Sequence, residues 1–165
     1  MPDKVLTSLV RELAQRLQSS NLSLSTAESC TGGGIGYWLT SITGSSAWYS
    51  SGFITYSNSA KIRDLKVKPA TLDSFGAVSE QVATEMAEGC LAITCADISV
   101  SVTGIAGPDG GTLDKPVGTV CFGWAHKKGI RSETKIFEGD RAAVRLQTIE
   151  HALKRAVIFL DEFLV

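Results

Sequence analysis

The sequence predicts a three-layer α/β/α sandwich, in which helices cover both sides of a mixed central sheet. Helical and strand patterns alternate along the whole chain, which is typical of an α/β fold. Helical segments separate the first three strand segments, and this spacing favours parallel pairing of the central strands. The last two strands are joined only by Lys127-Lys128-Gly129, so we expect an antiparallel hairpin at or near one edge.

In the first half of the chain, apolar residues recur at helical spacing from Leu6 to Leu17, and Asp3 is available as the N-cap. Apolar and polar residues alternate over residues 22–26, which predicts a short strand. The other elements expected here are a helix over about 33–42 ending at Gly44, a strand over 48–56, a short helix capped by Ser57-Asn58 and running to Leu65, and one or two helical turns over 69–75 closed by Gly76.

In the second half, Ser79 is predicted to start a longer helix, and alternation over residues 98–102 predicts a strand. A loop rich in Gly, Pro and Asp follows and extends to Pro116. Residues 117–126 and 130–137 form the predicted hairpin, and Asp140 caps a final helix. The apolar sides expected of the two helices are Val82, Met86, Cys90 and Ile93 in the first, and Val144, Leu146, Ile149, Leu153, Val157 and Leu160 in the second.

The composition predicts one globular domain over residues 1–165, since 44% of residues are hydrophobic and 20% are charged. A formal charge of −1 argues against nucleic-acid and acidic-membrane partners. No apolar run reaches the roughly 18 residues of a membrane span, and the N-terminus lacks a signal-peptide pattern. The four cysteines have no zinc-type spacing, so we expect reduced thiols and a cytoplasmic protein.

The most informative segment is residues 26–34, where a predicted strand runs into Ser29-Cys30-Thr31 and three glycines before a helix. Helix N-termini offer N–H donors and the positive end of a dipole, which suit a phosphate or a developing oxyanion. Ser29 at the turn is a candidate nucleophile, loosely like a nucleophile elbow. Because serine also favours N-caps, a purely structural role for Ser29 stays open on these grounds.

A second segment rich in Gly and hydroxyl groups follows the strand that ends near Val102. Sites in open α/β sheets gather where strands end in loops that open onto helices. If the two strand ends are neighbours, they form one pocket with a floor of backbone N–H groups.

Ordered sequence blocks covering most of the chain resemble the CinA C-terminal domain family. They read TAESCTGG, GSSAWYSSGFITYSNSAK, GAVSE, and SVTGIAGPDGG followed by KPVGTV. The resemblance implies an α/β/α fold without a metal or cofactor. It also implies relationship to amidases that hydrolyse nicotinamide mononucleotide to the acid nucleotide and ammonia, in pyridine-nucleotide salvage. Longer family members carry an additional N-terminal domain.

Metal-free amide hydrolysis needs a nucleophile, a base and an oxyanion site. Ser29 is the preferred nucleophile and Cys30 its rival, but a cysteine nucleophile normally uses a histidine base. The two histidines, His126 and His151, lie at a predicted hairpin turn and within the last helix, where surface or packing roles are expected. Lys61 is the expected base because it belongs to a family block and Ser29 needs a partner.

Other site residues are expected around this pair. Tyr56 is expected to orient Lys61 or relay its proton, with a packed strand aromatic as the alternative. Oxyanion donors are expected from the backbone of Cys30, Thr31, Gly32 and Gly33, while Thr103, Gly104, Ala106 and Gly107 line the opposite wall. Ser46, with Ser45, could add a hydroxyl, although turn chemistry explains both equally well.

Arg141 and Arg145, one helical turn apart, are the expected partners of the substrate phosphate. The alternative is a pair of exposed helix arginines. Arg145 could also serve a neighbouring subunit, since the first helix and the aromatic strand offer apolar surface for a homodimer.

Two other classes of function stay open. One is a regulatory module, related to competence and damage-inducible proteins, that binds a small nucleotide in the same pocket without turnover. The other is phosphoryl transfer, which is weaker because the chain lacks a GxxxxGK[ST] loop and an acidic metal cluster.

Overall fold

The computed structural model describes residues 3–164 as a five-stranded mixed sheet with helices on both faces. The strand order is β2-β1-β3-β4-β5, with β1 parallel to both β2 and β3, and with β4 and β5 antiparallel to their neighbours. The strands are β1 (Leu24–Glu28), β2 (Tyr49–Ile54), β3 (Ile98–Gly104), β4 (Thr119–His126) and β5 (Gly129–Ile136). The predicted parallel centre and the hairpin at one edge are both confirmed.

Six helices complete the three layers. They are α1 (Lys4–Ser19), α2 (Gly34–Leu39), α3 (Asn58–Leu65), α4 (Pro69–Phe75), α5 (Glu80–Thr94) and α6 (Arg141–Phe163). One apolar cluster packs α1, α2 and α6 on one face of the sheet, and a second packs α3, α4 and α5 on the other. Within residues 3–164, no helix has both the length and the apolar character needed to cross a membrane.

Side-chain caps begin four of the helices, as the sequence predicts. The acceptors are Asp3 for α1, Ser57 for α3, Ser79 for α5 and Asp140 for α6. Each accepts hydrogen bonds from backbone N–H groups of the first turn, which otherwise have no partner, and each cap contributes about 1 kcal/mol.

Two predicted boundaries and two buried positions differ from the structure. The first strand lies over Leu24–Glu28 rather than 22–26. All five of its residues are buried, so no alternation of buried and exposed positions marks where it ends. The helix expected over 33–42 is only Gly34–Leu39. Leu146 is 42% exposed because it lies about 200° around the helix from the buried Val144. Ile93 is 45% exposed in the last turn of α5.

The register of the parallel strands brings the two informative segments together. Glu28 at the end of β1 pairs with Val102 of β3, and the next N–H, that of Ser29, donates to the Val102 carbonyl at 3.1 Å. The turn after β1 and the loop after β3 therefore lie side by side at the carboxyl ends of these strands, which meets the condition that the sequence analysis left open.

Candidate active site

A cavity of about 280 Å³ lies at the carboxyl ends of β1 and β3. It is bordered by the turn after β1, by the start of α3, by the loop after α4, by the loop after β3 and by the first residue of α6. Its lining residues are Ser29, Cys30, Tyr56, Asn58, Lys61, Ala77, Val78, Thr103, Gly104, Ile105, Ala106, Gly107, Asp109, Gly110 and Arg141.

Ser29 and Lys61 are in direct contact on the buried side of this cavity. The Lys61 amine (Nζ) lies 2.9 Å from the Ser29 hydroxyl (Oγ) and donates a second hydrogen bond to the Thr55 carbonyl at 2.7 Å. The Lys61 side chain reaches this position from the first turn of α3, which the Ser57 hydroxyl caps. The sequence expectation of a serine with a lysine beside it therefore corresponds to a real contact.

Lys61 is buried without a counter-charge. It is 1% exposed, and it forms no salt bridge with any acid in residues 3–164. Burial penalises the ammonium form, so it lowers the pKa of the Lys61 amine to about 8. At neutral pH about one molecule in ten then carries a neutral amine, which is the form that can accept a proton.

Glu28 holds the turn that presents Ser29. Its carboxylate is 2% exposed and accepts hydrogen bonds from the Thr31 hydroxyl at 2.5 Å, the Ile35 N–H at 2.8 Å and the Gly36 N–H at 3.0 Å. Negative charge at a helix N-terminus is favourable, so this one side chain joins the end of β1 to the first turn of α2. Ser29 is thereby fixed between two rigid elements.

The same contacts correct the expected source of oxyanion donors. The first N–H groups of α2 are occupied by Glu28, and the Gly32 N–H donates to the Ser29 carbonyl at 3.0 Å. The N–H groups of Cys30, Thr31 and Gly33, by contrast, donate to no other residue within residues 3–164. Of the four expected donors, Cys30, Thr31 and Gly33 therefore stay candidates, whereas Gly32 and the first turn of α2 are already occupied.

The two glycines of the turn have a conformational role. Gly32 and Gly33 have φ values of 58° and 99°, a region that glycine enters at little cost. A Cβ atom on Gly33 would also lie 2.9 Å from the Ile54 side chain. Neither glycine lines the cavity directly, so both contribute by shaping the turn that carries the backbone N–H groups next to Ser29.

Cys30 lies beside Ser29 but is a poor candidate nucleophile. Its side chain is 5% exposed and packs into the apolar cluster beneath α2 and α6. Burial raises the pKa of its thiol to about 12, so the reactive thiolate is scarcely populated at neutral pH. The geometry favours Ser29 over Cys30.

Both histidines have structural surroundings, as expected. His126 is the last residue of β4 and pairs with Ile98 at the start of β3, at the end of that strand far from the cavity. Its ring stacks on Phe163. His151 packs among aromatic rings of the core and contacts Glu133 at 2.7 Å. Neither lines the cavity.

Thr103, Gly104, Ala106 and Gly107 line the opposite wall, as the sequence predicts. Arg141 closes this wall, donating to the Gly107 carbonyl at 2.8 Å and to the Tyr56 hydroxyl at 2.9 Å. The expected orienting contact from Tyr56 to Lys61 is not made among the described residues, since the Thr55 carbonyl holds the amine instead. Tyr56 lines the cavity as a 61% exposed side chain.

Arg145 contacts the turn after β1 of its own chain. Its guanidinium donates to the Thr31 carbonyl at 3.0 Å, although it does not line the cavity. Neither Arg141 nor Arg145 forms a salt bridge within residues 3–164, so two unneutralised cations lie on this side of the site. An anionic group of a ligand would complement them.

The expectation for Ser45 and Ser46 is wrong. Both precede β2, whereas the cavity lies beyond the last residue of that strand. A strand of six residues spans about 20 Å. Because β2 is parallel to β1, Ser46 lies at the amino ends of these strands, far from the cavity. There they form the first two residues of a short 3-10 turn, Ser45–Ala47, which follows Gly44.

Several cavity residues were not singled out from the sequence. Asn58 lies three residues before Lys61 on α3, and this helical spacing could have identified it. Asp109, Ala77 and Val78 belong to loops, and no periodic pattern in the sequence indicates that these loops approach the site. Within residues 3–164, no group of three or more His, Cys, Asp or Glu side chains is placed to hold a metal ion.

Comparison with known proteins identifies close relatives. The model of the CinA C-terminal domain matches residues 6–160. The nicotinamide-nucleotide amidohydrolase PncC of Enterobacter agglomerans is 51% identical over 95% of this chain and 96% of its own. The enzyme of the same name from Escherichia coli K12 is 48% identical over 93% and 94%. A CinA-like protein of Chlorobaculum tepidum is 51% identical over 88% of this chain but only 36% of its own.

Solved structures agree with the fold. A competence/damage inducible protein, CihA, from Agrobacterium tumefaciens has a TM-score of 0.93 and 41% identity, with 98% of each chain covered. A competence or damage-inducible protein from Enterobacter asburiae has a TM-score of 0.92 and 38% identity, covering 96% of this chain and 99% of that one.

Replacing Glu28 by Gln tests its role in holding the turn. A carboxylate accepts all three hydrogen bonds, whereas the amide nitrogen of Gln must face at least one of the same donors. We expect Glu28→Gln to lower the free energy of unfolding by about 2 kcal/mol, measured by urea denaturation. The exposed Glu88→Gln is the matched control and should change it by less than about 0.5 kcal/mol. Equal stability of Glu28→Gln and wild type would contradict this role.

Proposed function

The chain belongs to the CinA C-terminal domain family, and we propose that it is a nicotinamide-nucleotide amidase that converts nicotinamide mononucleotide to nicotinic acid mononucleotide and ammonia. The observation that carries the proposal is the 2.9 Å contact between Ser29 and the buried, uncompensated amine of Lys61. The names of relatives at about half identity over nearly the whole chain support the choice of substrate.

In the proposed acylation step, Ser29 is the nucleophile and neutral Lys61 the base. The Lys61 amine takes the hydroxyl proton as the Ser29 oxygen bonds to the amide carbon, and the carbonyl becomes an oxyanion. The carbon–nitrogen bond then breaks. The nitrogen takes the proton from the Lys61 ammonium and leaves as ammonia, so Lys61 returns to its neutral form.

In the proposed deacylation step, water replaces the amide nitrogen. Lys61 takes a proton from the water as its oxygen bonds to the acyl carbon, and then returns this proton to the Ser29 oxygen as the ester bond breaks. The acid nucleotide leaves, and both residues are restored. One lysine thus serves as base and acid twice in each turnover.

Stabilisation of the oxyanion is assigned to backbone N–H groups. Those of Cys30 and Thr31 adjoin the nucleophile and lack an internal acceptor among residues 3–164. Loss of one such donor in other hydrolases costs about 3 kcal/mol in the barrier. The Glu28 contacts support this assignment because they fix the turn before the substrate arrives.

Phosphate recognition is assigned to Arg141. Its guanidinium reaches the cavity wall from the first turn of α6 without a carboxylate partner, and arginine suits bidentate contact with a phosphate. Arg145 adds positive charge nearby through its contact with Thr31. The Tyr56 hydroxyl, which accepts from Arg141, borders the same region, and a role for it in proton relay stays a prediction.

The cellular setting is part of the same proposal and rests on the sequence. We assign the reaction to pyridine-nucleotide salvage, in a cytoplasmic protein whose single domain spans residues 1–165. Four free cysteines are consistent with a reducing compartment. We also expect a homodimer, as the exposed apolar surface of the first helix and the aromatic strand suggests.

Ammonia release from nicotinamide mononucleotide, with excess chelator present, tests the proposed function. We expect turnover in wild type, retention within about tenfold in Cys30→Ala, and loss of at least about 1,000-fold in Ser29→Ala, because only Ser29 forms the covalent intermediate. A coupled ammonia assay measures all three proteins, with circular dichroism as the check on folding.

Two outcomes would contradict the assignment. Selective loss in Cys30→Ala would move the nucleophile to the neighbouring residue. Tight binding of the nucleotide without ammonia release by folded wild type would favour the non-catalytic regulatory module.

The pH dependence of kcat/KM tests Lys61 as the base. Since burial lowers the pKa of its amine to about 8, the reactive neutral form increases as pH rises through that value. We expect kcat/KM to rise about tenfold per pH unit below 7.5 and to level off above 8.5. Measurements from pH 6.5 upward avoid the second ionisation of the substrate phosphate, near pH 6. A flat profile from pH 6.5 to 9.5 would exclude this base.

A further inference from the structure

Asn58 is a polar side chain that lines the cavity of the Ser29–Lys61 pair and has no hydrogen-bond partner among residues 3–164. Asn58 is the first residue of α3 and lines the same cavity as both residues. Positions three apart on a helix share a face, so Asn58 and Lys61 project from α3 toward the same space. The Asn58 side chain is exposed, so its amide is open to a ligand, whereas the neighbouring Ser57 and Ser59 hydroxyls bond to each other.

The nearby hydrogen-bonding groups leave one part of a carboxamide unrecognised. Lys61 and the backbone donors of Cys30 and Thr31 serve the attacking oxygen and the carbonyl oxygen. The N–H groups of the leaving nitrogen need an acceptor, but the Thr55 carbonyl already accepts from Lys61, and the Gly107 carbonyl accepts from Arg141. Two side chains of the lining still offer a free acceptor, the Asn58 amide oxygen and the Asp109 carboxylate, and only Asn58 lies on the helix that carries Lys61.

We propose that Asn58 is a specificity-determining residue whose Oδ1 accepts a hydrogen bond from the N–H of a primary carboxamide. This inference rests on the proposed amidase function and names the feature of the substrate that the site selects. As the leaving nitrogen takes the proton from Lys61, its N–H groups become more positive and this hydrogen bond strengthens. An interaction that is stronger in the transition state accelerates the reaction, whereas equal binding of substrate and transition state does not.

The decisive comparison uses two substrates that give the same acyl-enzyme. These are nicotinamide mononucleotide and the methyl ester of nicotinic acid mononucleotide, whose leaving oxygen carries no N–H. Because kcat/KM reports the steps up to acylation, deacylation does not affect the comparison. We expect Asn58→Ala to lower kcat/KM for the amide by about 10- to 100-fold, the range for a hydrogen bond to a charged group, while the value for the ester changes little.

Two further variants make the result specific. Ser59→Ala alters the adjacent exposed residue and should change neither substrate's kcat/KM appreciably. Asn58→Asp keeps an oxygen acceptor, so it should retain the preference for the amide that Asn58→Ala loses. Its carboxylate also raises the pKa of Lys61, so the pH profile of Asn58→Asp should move to higher pH.

An equal loss on amide and ester in Asn58→Ala would overturn the inference, because it would place Asn58 against another part of the nucleotide or in a structural role. Unchanged hydrolysis of both substrates would overturn it as well. If wild type releases no ammonia from the amide, the proposed function itself fails. That result is distinguishable, because the inference concerns only the ratio between the two substrates in an active enzyme.

Discussion

The burial of the Lys61 amine without a counter-charge is the constraint on which the site depends. An ammonium group that loses its hydration and gains no carboxylate is costly, and the cost falls when the amine is neutral. The fold offsets this cost by packing α3 on its apolar side, where Leu65 joins Val82 and Met86 of α5 in a buried cluster. The same packing that stabilises the second face of the sheet therefore keeps a proton acceptor beside Ser29.

The end of β1 provides the other half of the arrangement. Glu28 bonds to the first turn of α2, and the Ser29 N–H bonds to Val102 of β3, so the proposed nucleophile lies between a helix and the central sheet. Because Glu28 occupies the helix donors, the donors left for an oxyanion are those next to Ser29. In the proposed mechanism, this buried carboxylate shapes the oxyanion site without itself contacting the ligand.

Much of the fold could be predicted because its signals are local. The caps at Asp3, Ser57, Ser79 and Asp140 and the hairpin near Lys127 depend on residues close in sequence. In the buried strand β1, exposed and buried residues do not alternate, so the sequence pattern does not mark its end. The position of Ser46 depends on the direction of β2, which no local pattern indicates.

The site was predictable to the extent that motifs carry it. Ser29, Lys61 and the glycine loops come from recognisable blocks, whereas the partner of Lys61 is a backbone carbonyl, which every residue has and no pattern reveals. Asn58 and Asp109 enter the site only through the three-dimensional arrangement of their segments.

Direct titration of the Lys61 side chain by NMR tests the central claim most closely. The Nζ or Cε resonance can be assigned from its absence in Lys61→Gln and followed from pH 6 to 11 in the free protein. The account predicts a midpoint of about 8, well below the 10.5 of an unperturbed lysine. A midpoint near 10.5 would mean that the amine stays charged at neutral pH, and Lys61 could then not be the base that activates Ser29.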